Sequence, residues 1–118
     1  MGYSYDKQHA MTVKATAQVK EKRFVAYDGG YATGAGGAKD CMGVSEFGGE
    51  PNDLLSVVTG FSYLVEAGEE IAQFDFVKPG VDGRAVKGTA TDHCGRALEH
   101  QTLVGKFVEV QILTHRHP

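Results

Sequence analysis

A glycine-rich segment from Gly29 to Lys39 is the part of the sequence most suggestive of phosphate chemistry, because it holds five glycines and ends in a lysine. A P-loop has the pattern G-x-x-x-x-G-K-[ST] and opens a helix, so that backbone amides and the helix dipole meet the phosphate. Here Asp40 and Cys41 follow the lysine, and no helical pattern follows them. The segment is therefore predicted to be a flexible surface loop without a phosphate site, and the dinucleotide-binding fingerprint fails for the same reason.

Two cysteines and five histidines make zinc binding and thiol catalysis the next alternatives. Structural zinc takes four ligands, usually as two closely spaced pairs, and neither Cys41 nor Cys94 has a second cysteine nearby. His93 is adjacent to Cys94, and neighbouring residues of a strand point to opposite faces, so they would not form a nucleophile with its base. The sequence thus predicts no metal, no cofactor and no catalytic residue, and the protein is not expected to be an enzyme.

Two kinds of small β-barrel binding module stay open as alternatives to a structural role. Lys78 stands beside the Pro79-Gly80 turn, loosely like the modified lysine of lipoyl or biotinyl carrier domains, although in those domains the lysine itself occupies the hairpin tip. A carbohydrate-binding barrel would expose aromatic platforms, and a chain with no tryptophan and five tyrosines offers few of them. Intact mass and glycan binding distinguish these alternatives.

The charge balance argues against nucleic acid as a partner. The formal net charge is −3, and the densest basic run, Lys20 to Arg23, is interrupted by Glu21. Because phosphates are bound by clustered Lys and Arg, this run is better explained as the solvated edge of a strand. No stretch approaches the roughly 18 apolar residues of a membrane helix, and the first residues lack the pattern of a signal peptide. We therefore expect synthesis in a reducing cytoplasm, with both cysteines free in the core.

The elements that would position any site are strands, because apolar and polar residues alternate with a period of two. The clearest segment is Leu54 to Val65, where Gly60 predicts a bend between two strands and Phe61 is expected on the same face as Val57. Near the end of the chain, Val108, Val110 and Ile112 are expected to face the core. Other strand candidates are Thr12–Val19, Phe24–Tyr27, Cys41–Phe47, Phe76–Lys78 and Arg84–Lys87, and only Ala67–Phe74 favours a helical turn.

Short strands separated by frequent turn residues predict an all-β fold, a compact small β-barrel or sandwich of about eight short strands with a flexible N-terminal arm. Sixteen glycines in 118 residues are about twice the usual share, as many tight turns require. We expect a single β domain over residues 1–118, divided into an arm (1–11), a β core (12–113) and a polar tail (114–118) that frays.

The order of turns and strands over residues 12–113 resembles the phage capsid cement, or head decoration, family. The segments that carry the resemblance are KRFVAYDGG, CMGVSEF, LLSVVTGFSYLVEAGEEI, DFVKPGVDGRAV and CGRALEHQTLVGKFVEVQIL. Their turns and strands fall at Gly60–Gly68, Val77–Arg84, Gly95–Leu98 and Val108–Ile112. Two departures are that Phe74 stands where a small residue or glycine is common, and that the tail beyond Leu113 is longer and rich in histidine.

The resemblance implies a structural virion protein that binds the outer surface of the expanded head and bridges neighbouring major capsid subunits. It implies the major capsid protein as partner, a homotrimer on the capsid, synthesis in the bacterial host cytoplasm, and neither nucleic acid nor membrane as a partner. From the residues themselves, the N-terminal arm is expected to bind the capsid, since tyrosine gives a large contact area at low entropic cost. The capsid-binding residues of the arm are predicted to be Tyr3, Tyr5, Asp6, Lys7 and His9.

Overall fold

Residues 10–118 are described by the computed structural model, and their nine strands form two antiparallel sheets. The first sheet has the order β1-β4-β3-β2, and the second has the order β5-β9-β8-β6-β7. Because the strands divide between two sheets, a sandwich fits the all-β prediction. The strands are β1 (Ala10–Lys14), β2 (Phe24–Ala26), β3 (Cys41–Ser45), β4 (Leu54–Val58), β5 (Ser62–Glu66), β6 (Phe76–Pro79), β7 (Ala85–Lys87), β8 (His93–Ala97) and β9 (Phe107–Arg116).

Inward-facing side chains of both sheets form one core. The four-stranded sheet contributes Phe24 and Val58, and the five-stranded sheet contributes Val65, Val108 and Val110, all fully buried. The prediction that Val108 and Val110 face the core is therefore confirmed. Each fully buried valine of this kind contributes roughly 1.5–3 kcal/mol relative to an exposed one, so this core is the main source of stability.

The segment after β1 covers the outer face of the four-stranded sheet. Ala15 donates its N–H to the Asp53 carbonyl at 2.8 Å, and Val19 donates to the Gly49 carbonyl at 2.9 Å. Ala15 and Val19 pack with Val25 in a second, smaller apolar cluster. The predicted strand Thr12–Val19 is thus a strand only as far as Lys14, because the chain then leaves the sheet edge to cross its face.

The predicted bend at Gly60 marks the passage of the chain from one sheet to the other. β4 pairs with β1 and β3, whereas β5 pairs with β9. The left-handed backbone conformation falls on Phe61, with φ +60°, rather than on Gly60. That conformation interrupts the alternation, so Phe61 is 53% exposed while Val57 is buried, and the prediction of a shared face is wrong.

The helical turn predicted for Ala67–Phe74 is also wrong. Ala67 forms a β-bridge with Ala85, and Ile71 forms one with Gln101. Ile71 is fully buried and both donates to and accepts from the Gln101 backbone at 2.8 Å, which holds the segment extended. A 3-10 helix at Gly37–Lys39 is the only helix within residues 10–118. The described residues therefore contain no helix that is long and apolar enough to cross a membrane.

The last residues of the chain do not fray as predicted. β9 continues to Arg116, which pairs with His93 of β8. The His115 ring is 2% exposed, and its Nδ1 accepts the backbone N–H of Cys41 at 2.5 Å. Because Cys41 begins β3, this hydrogen bond attaches the end of the five-stranded sheet to the four-stranded sheet.

Candidate functional site

The residues predicted to bind the capsid lie outside the described part of the chain, so their role stays a prediction. They are Tyr3, Tyr5, Asp6, Lys7 and His9. The last two residues of the predicted arm, Ala10 and Met11, pair with Val58 and Val57. Ala10 and Met11, assigned to the arm in the prediction, are therefore part of a strand of the β core.

The glycine-rich segment does not have the geometry of a phosphate site. Its 3-10 helix spans only three residues, and the lysine at its end, Lys39, lies 2.7 Å from Asp28 Oδ2. That hydrogen bond is the largest cause of the lowered pKa of Asp28, so the two charges neutralise each other. The segment is not wholly a surface loop either, because Ala32 is fully buried and donates its N–H to the Phe24 carbonyl.

The cysteines and His93 are core and packing residues. Cys41 and Cys94 are free and buried, and burial raises the pKa of the Cys94 thiol well above its usual range. A thiol that stays protonated is a poor nucleophile and a poor metal ligand. His93 packs its ring 4.5 Å from that of Phe76, measured between centroids. Within residues 10–118, His, Cys, Asp and Glu side chains do not converge in a group of three that could hold a metal ion.

Lys78, the residue considered for covalent attachment of a lipoyl or biotinyl group, lies within β6. Its Nζ is 3.0 Å from Asp92 Oδ2, and the side chain is 38% exposed. The lysine is thus held in an ion pair along a strand, whereas a carrier domain presents its lysine at a hairpin tip.

A buried arginine connects the two sheets. Arg23 directly precedes β2, and its side chain is 5% exposed. Its Nη2 lies 3.2 Å from Glu66 Oε1 at the end of β5, and its Nη1 donates to the Asp82 carbonyl at 3.0 Å. Arg84 joins the same network, with its Nε 2.9 Å from Asp82 Oδ2. The prediction that Lys20 to Arg23 is a solvated strand edge is therefore wrong for Arg23.

The pKa of the Asp82 carboxyl group is changed by its position in this network. Burial opposes its ionisation, but the hydrogen bond from Arg84 and the charges of Arg84 and Arg23 outweigh burial and lower its pKa. The network connects the two sheets, because its arginines and carboxylates pair with one another.

A second titratable cluster joins the end of β9 to the segment before β3. His117 Nε2 lies 2.9 Å from Asp40 Oδ1, and His115 Nδ1 lies 3.8 Å from the same oxygen. Burial lowers the pKa of His115, and His117 and His93 act in the same direction while Asp40 and Asp92 oppose them. Because Nδ1 accepts a backbone N–H, the ring is held in its neutral form.

We expect this cluster to make stability sensitive to mild acid. The pKa of folded His115 is below the ordinary 6.5, so its contribution is complete above that pH and is lost as the pH falls below it. Urea unfolding between about pH 7.5 and about pH 5.5 should show a steeper loss of unfolding free energy in the wild type than in His115→Gln, which keeps an acceptor but does not titrate. His115→Ala leaves the Cys41 N–H unpaired and should cost about 1–3 kcal/mol at neutral pH. Equal pH slopes for wild type and His115→Gln would contradict the assignment.

The outer side of the five-stranded sheet carries exposed aromatic residues. Phe61 and Phe74 are 53% and 60% exposed and have φ values of +60° and +72°. The Phe61 carbonyl accepts the N–H of Ile112 on β9, and Phe74 donates its N–H to the carbonyl of Ala97 on β8. Since β8 and β9 are paired neighbours, the two phenylalanines lie on either side of one strand pair.

Leu98 and Arg96 occupy the space between these phenylalanines. Leu98 and Phe61 line a shallow cleft of about 300 Å³. Arg96 donates its Nε to the Phe74 carbonyl at 3.0 Å, and its guanidinium carbon lies 4.6 Å from the centroid of the Phe76 ring. We call these five residues, Phe61, Phe74, Phe76, Arg96 and Leu98, the phenylalanine face. This face could not be predicted from the sequence, because an alternating pattern places phenylalanine in the core.

Comparison with known proteins agrees with this architecture. A family model described as phage cement protein matches residues 5–112. Among solved structures, the crystal structure of the head fiber gp8.5 N base in bacteriophage phi29 is similar, with a TM-score of 0.68 and 22% sequence identity, covering 93% of this chain and 98% of that chain. A search of curated proteins gave no match. At this identity, the structural similarity shows the fold.

Proposed function

The chain belongs to the phage cement protein family, and from this premise we propose that it binds the outer surface of the expanded capsid and stabilises the head by bridging major capsid subunits. The observation that carries the proposal is the match of the family model to residues 5–112, which is most of the chain. The chain is a capsid-associated structural protein of a bacteriophage. Its partner in the proposal is the major capsid protein, which it contacts as a homotrimer.

The described structure supports such a role through the connections between its two sheets. A cement protein has to hold neighbouring subunits together under internal pressure, so it must resist deformation itself. Here the sheets are joined by the apolar core, by Arg23 with Glu66, and by His115 with Cys41. The net charge of −3 supports an outer position, away from packaged DNA.

The experiment that tests the proposal is co-sedimentation with expanded, undecorated heads of the phage that encodes the protein. We expect saturable binding at a fixed copy number per head, and heads that survive heating or chelation better than undecorated ones. The copy number separates trimers at threefold positions from monomers elsewhere. A folded protein that leaves the heads undecorated at every concentration would refute the proposed function.

We further expect the N-terminal arm to contribute to capsid binding. The structure places Ala10 in β1, so a deletion of residues 2–9 removes the predicted capsid-binding residues and keeps every residue of β1. This deletion should weaken binding to heads, because the predicted contacts of Tyr3 and Tyr5 are lost, while the melting temperature changes little. Affinity for heads and thermal unfolding, measured on the same preparation, check both parts. Undiminished head binding by the deletion variant would remove the arm from the proposal.

A further inference from the structure

Two thiols from different sheets meet in the core. Cys41 begins β3 of the four-stranded sheet, and Cys94 lies in β8 of the five-stranded sheet. Both are buried in the same apolar cluster. The Cys41 thiol donates to the Gly43 carbonyl at 3.4 Å, and the hydrogen bond between the two cysteine side chains adds to burial in raising the pKa of Cys94. Two thiols in mutual contact are the arrangement from which a disulfide forms.

Strand β9 holds the backbones of both cysteines. Cys41 donates its N–H to Nδ1 of His115 on β9. Cys94 is flanked on β8 by His93 and Gly95, and both of these residues pair with β9. The two cysteines are thus attached to one strand from opposite sheets. A bond between their sulfur atoms would add a covalent link where the sheets are joined by the hydrogen bond of His115.

Cys41 is the cysteine that a reagent in solvent can reach. It is 6% exposed, whereas Cys94 is fully buried. Cys41 also lines a cleft of about 230 Å³ together with Tyr27, Thr59 and Leu113. A small oxidant that enters this cleft therefore meets Cys41 first, and Cys94 can react only with what Cys41 has become.

We propose that Cys41 and Cys94 are a redox pair, which a low-molecular-weight disulfide oxidises to an intramolecular disulfide that joins the two sheets covalently. The Cys41 sulfur attacks the reagent R–S–S–R, forms Cys41–S–S–R and passes its proton to the departing R–S⁻, which leaves as R–SH. The Cys94 sulfur then attacks the Cys41 sulfur, and its proton goes to the second R–S⁻. Two protein thiols are oxidised, and one reagent disulfide is reduced to two thiols.

Burial makes the pair slow to close and keeps it reduced where the surroundings are reducing. A protonated thiol attacks poorly, and burial keeps Cys94 protonated. Once Cys41 carries the R–S group, its charge and its hydrogen bond no longer raise the pKa of Cys94, which favours the second step. Oxidising surroundings then convert two free core thiols into a link between the sheets. This property goes beyond the proposed function and does not rest on it, because it needs only the folded chain and an oxidant.

The test incubates the folded, reduced full chain with oxidised glutathione. We expect the intact mass to fall by two hydrogen atoms, and non-reducing digestion to give one peptide pair that joins Cys41 to Cys94. The melting temperature should rise by at least about 5 °C, because the link constrains the unfolded chain, and dithiothreitol should reverse the rise. Cys94→Ala is the matched control. It should stop at the mixed disulfide of Cys41 with glutathione and show no rise in melting temperature.

Four results would overturn the inference. They are wild-type protein that keeps both thiols after prolonged incubation, wild-type protein that stops at the mixed disulfide, a Cys41–Cys94 bond that forms only in urea, and a bond that leaves the melting temperature unchanged. Cys41→Ala gives a further check, because Cys94 alone should stay unmodified in the folded protein. Rapid modification of Cys94 in that variant would contradict the order of the two steps and overturn the proposed route. Binding to heads is not measured here, so failure of this inference leaves the proposed function standing.

Discussion

Val110→Asp should remove most of the stability of the fold, with a loss of about 4–5 kcal/mol or more. Val110 is fully buried on β9, between Tyr63 of β5 and Ala97 of β8. A carboxylate there would be surrounded by apolar side chains without a cationic partner. Because domains of this size are stable by only about 5–15 kcal/mol, the variant should be largely unfolded or should melt far below wild type.

Denaturant unfolding and near-ultraviolet circular dichroism measure this effect, and the neighbouring position supplies the control. Gln111 follows Val110 on the same strand but is exposed on the opposite face, so Gln111→Asp should stay within about 0.5 kcal/mol of wild type. A wild-type melting temperature for Val110→Asp would mean that the assigned register of β9 is incorrect.

Arg23→Ala should be the next most damaging change, with an expected cost of about 3–5 kcal/mol. Removing the guanidinium takes a buried cation away from Glu66 and Asp82, removes the hydrogen bond to the Asp82 carbonyl, and leaves Arg84 to compensate both carboxylates. Lys20→Ala is the matched control from the same basic run, because Lys20 is exposed and its hydrogen bonds to Tyr31 and Ser45 are made by its backbone, which the substitution keeps. Urea unfolding of both variants at neutral pH gives the two free energies.

The pH dependence of the Arg23→Ala effect provides an independent check. The pKa of Asp82 is lowered in the folded protein, so its stabilising contribution is present above the ordinary value of 3.8 and is lost as the pH falls below that value. The difference in stability between wild type and Arg23→Ala should therefore shrink in acid. A difference that stays constant down to full protonation would show that the arginine stabilises by packing alone.

Local pattern was sufficient to predict the strands and the all-β class. The alternation in β9 and the bend before β5 follow from the preference of each side chain for a buried or solvated face, which depends on adjacent residues. The helical turn assigned to 67–74 was wrong because the bridges of Ala67 and Ile71 to distant strands outweigh a weak local propensity. The residues of the segment do not indicate such pairing, because the partners lie far away in the sequence.

The connections between the sheets could not be predicted for the same reason. Arg23 pairs with the carboxylates of Glu66 and Asp82, which come 43 and 59 positions later in the chain, and His115 accepts from a residue 74 positions earlier. A polar residue is expected at the surface unless its partners are known, and the partners become neighbours only in the folded chain. The phenylalanine face could not be predicted because large apolar residues are expected to be buried, whereas these are exposed. The positive φ at Phe61 and Phe74 is not visible in the sequence.

The position of β9 in its sheet has a consequence for biosynthesis. β5 pairs with β9 alone, and β9 is the last strand of residues 10–118 to leave the ribosome. β5 is synthesised well before β9. Because Glu66 pairs with Phe107, more than 40 further residues must be added to the nascent chain before β5 can pair. The five-stranded sheet therefore closes only after β9 has been made. Until then an unpaired strand edge is exposed, and aggregation competes with folding during synthesis.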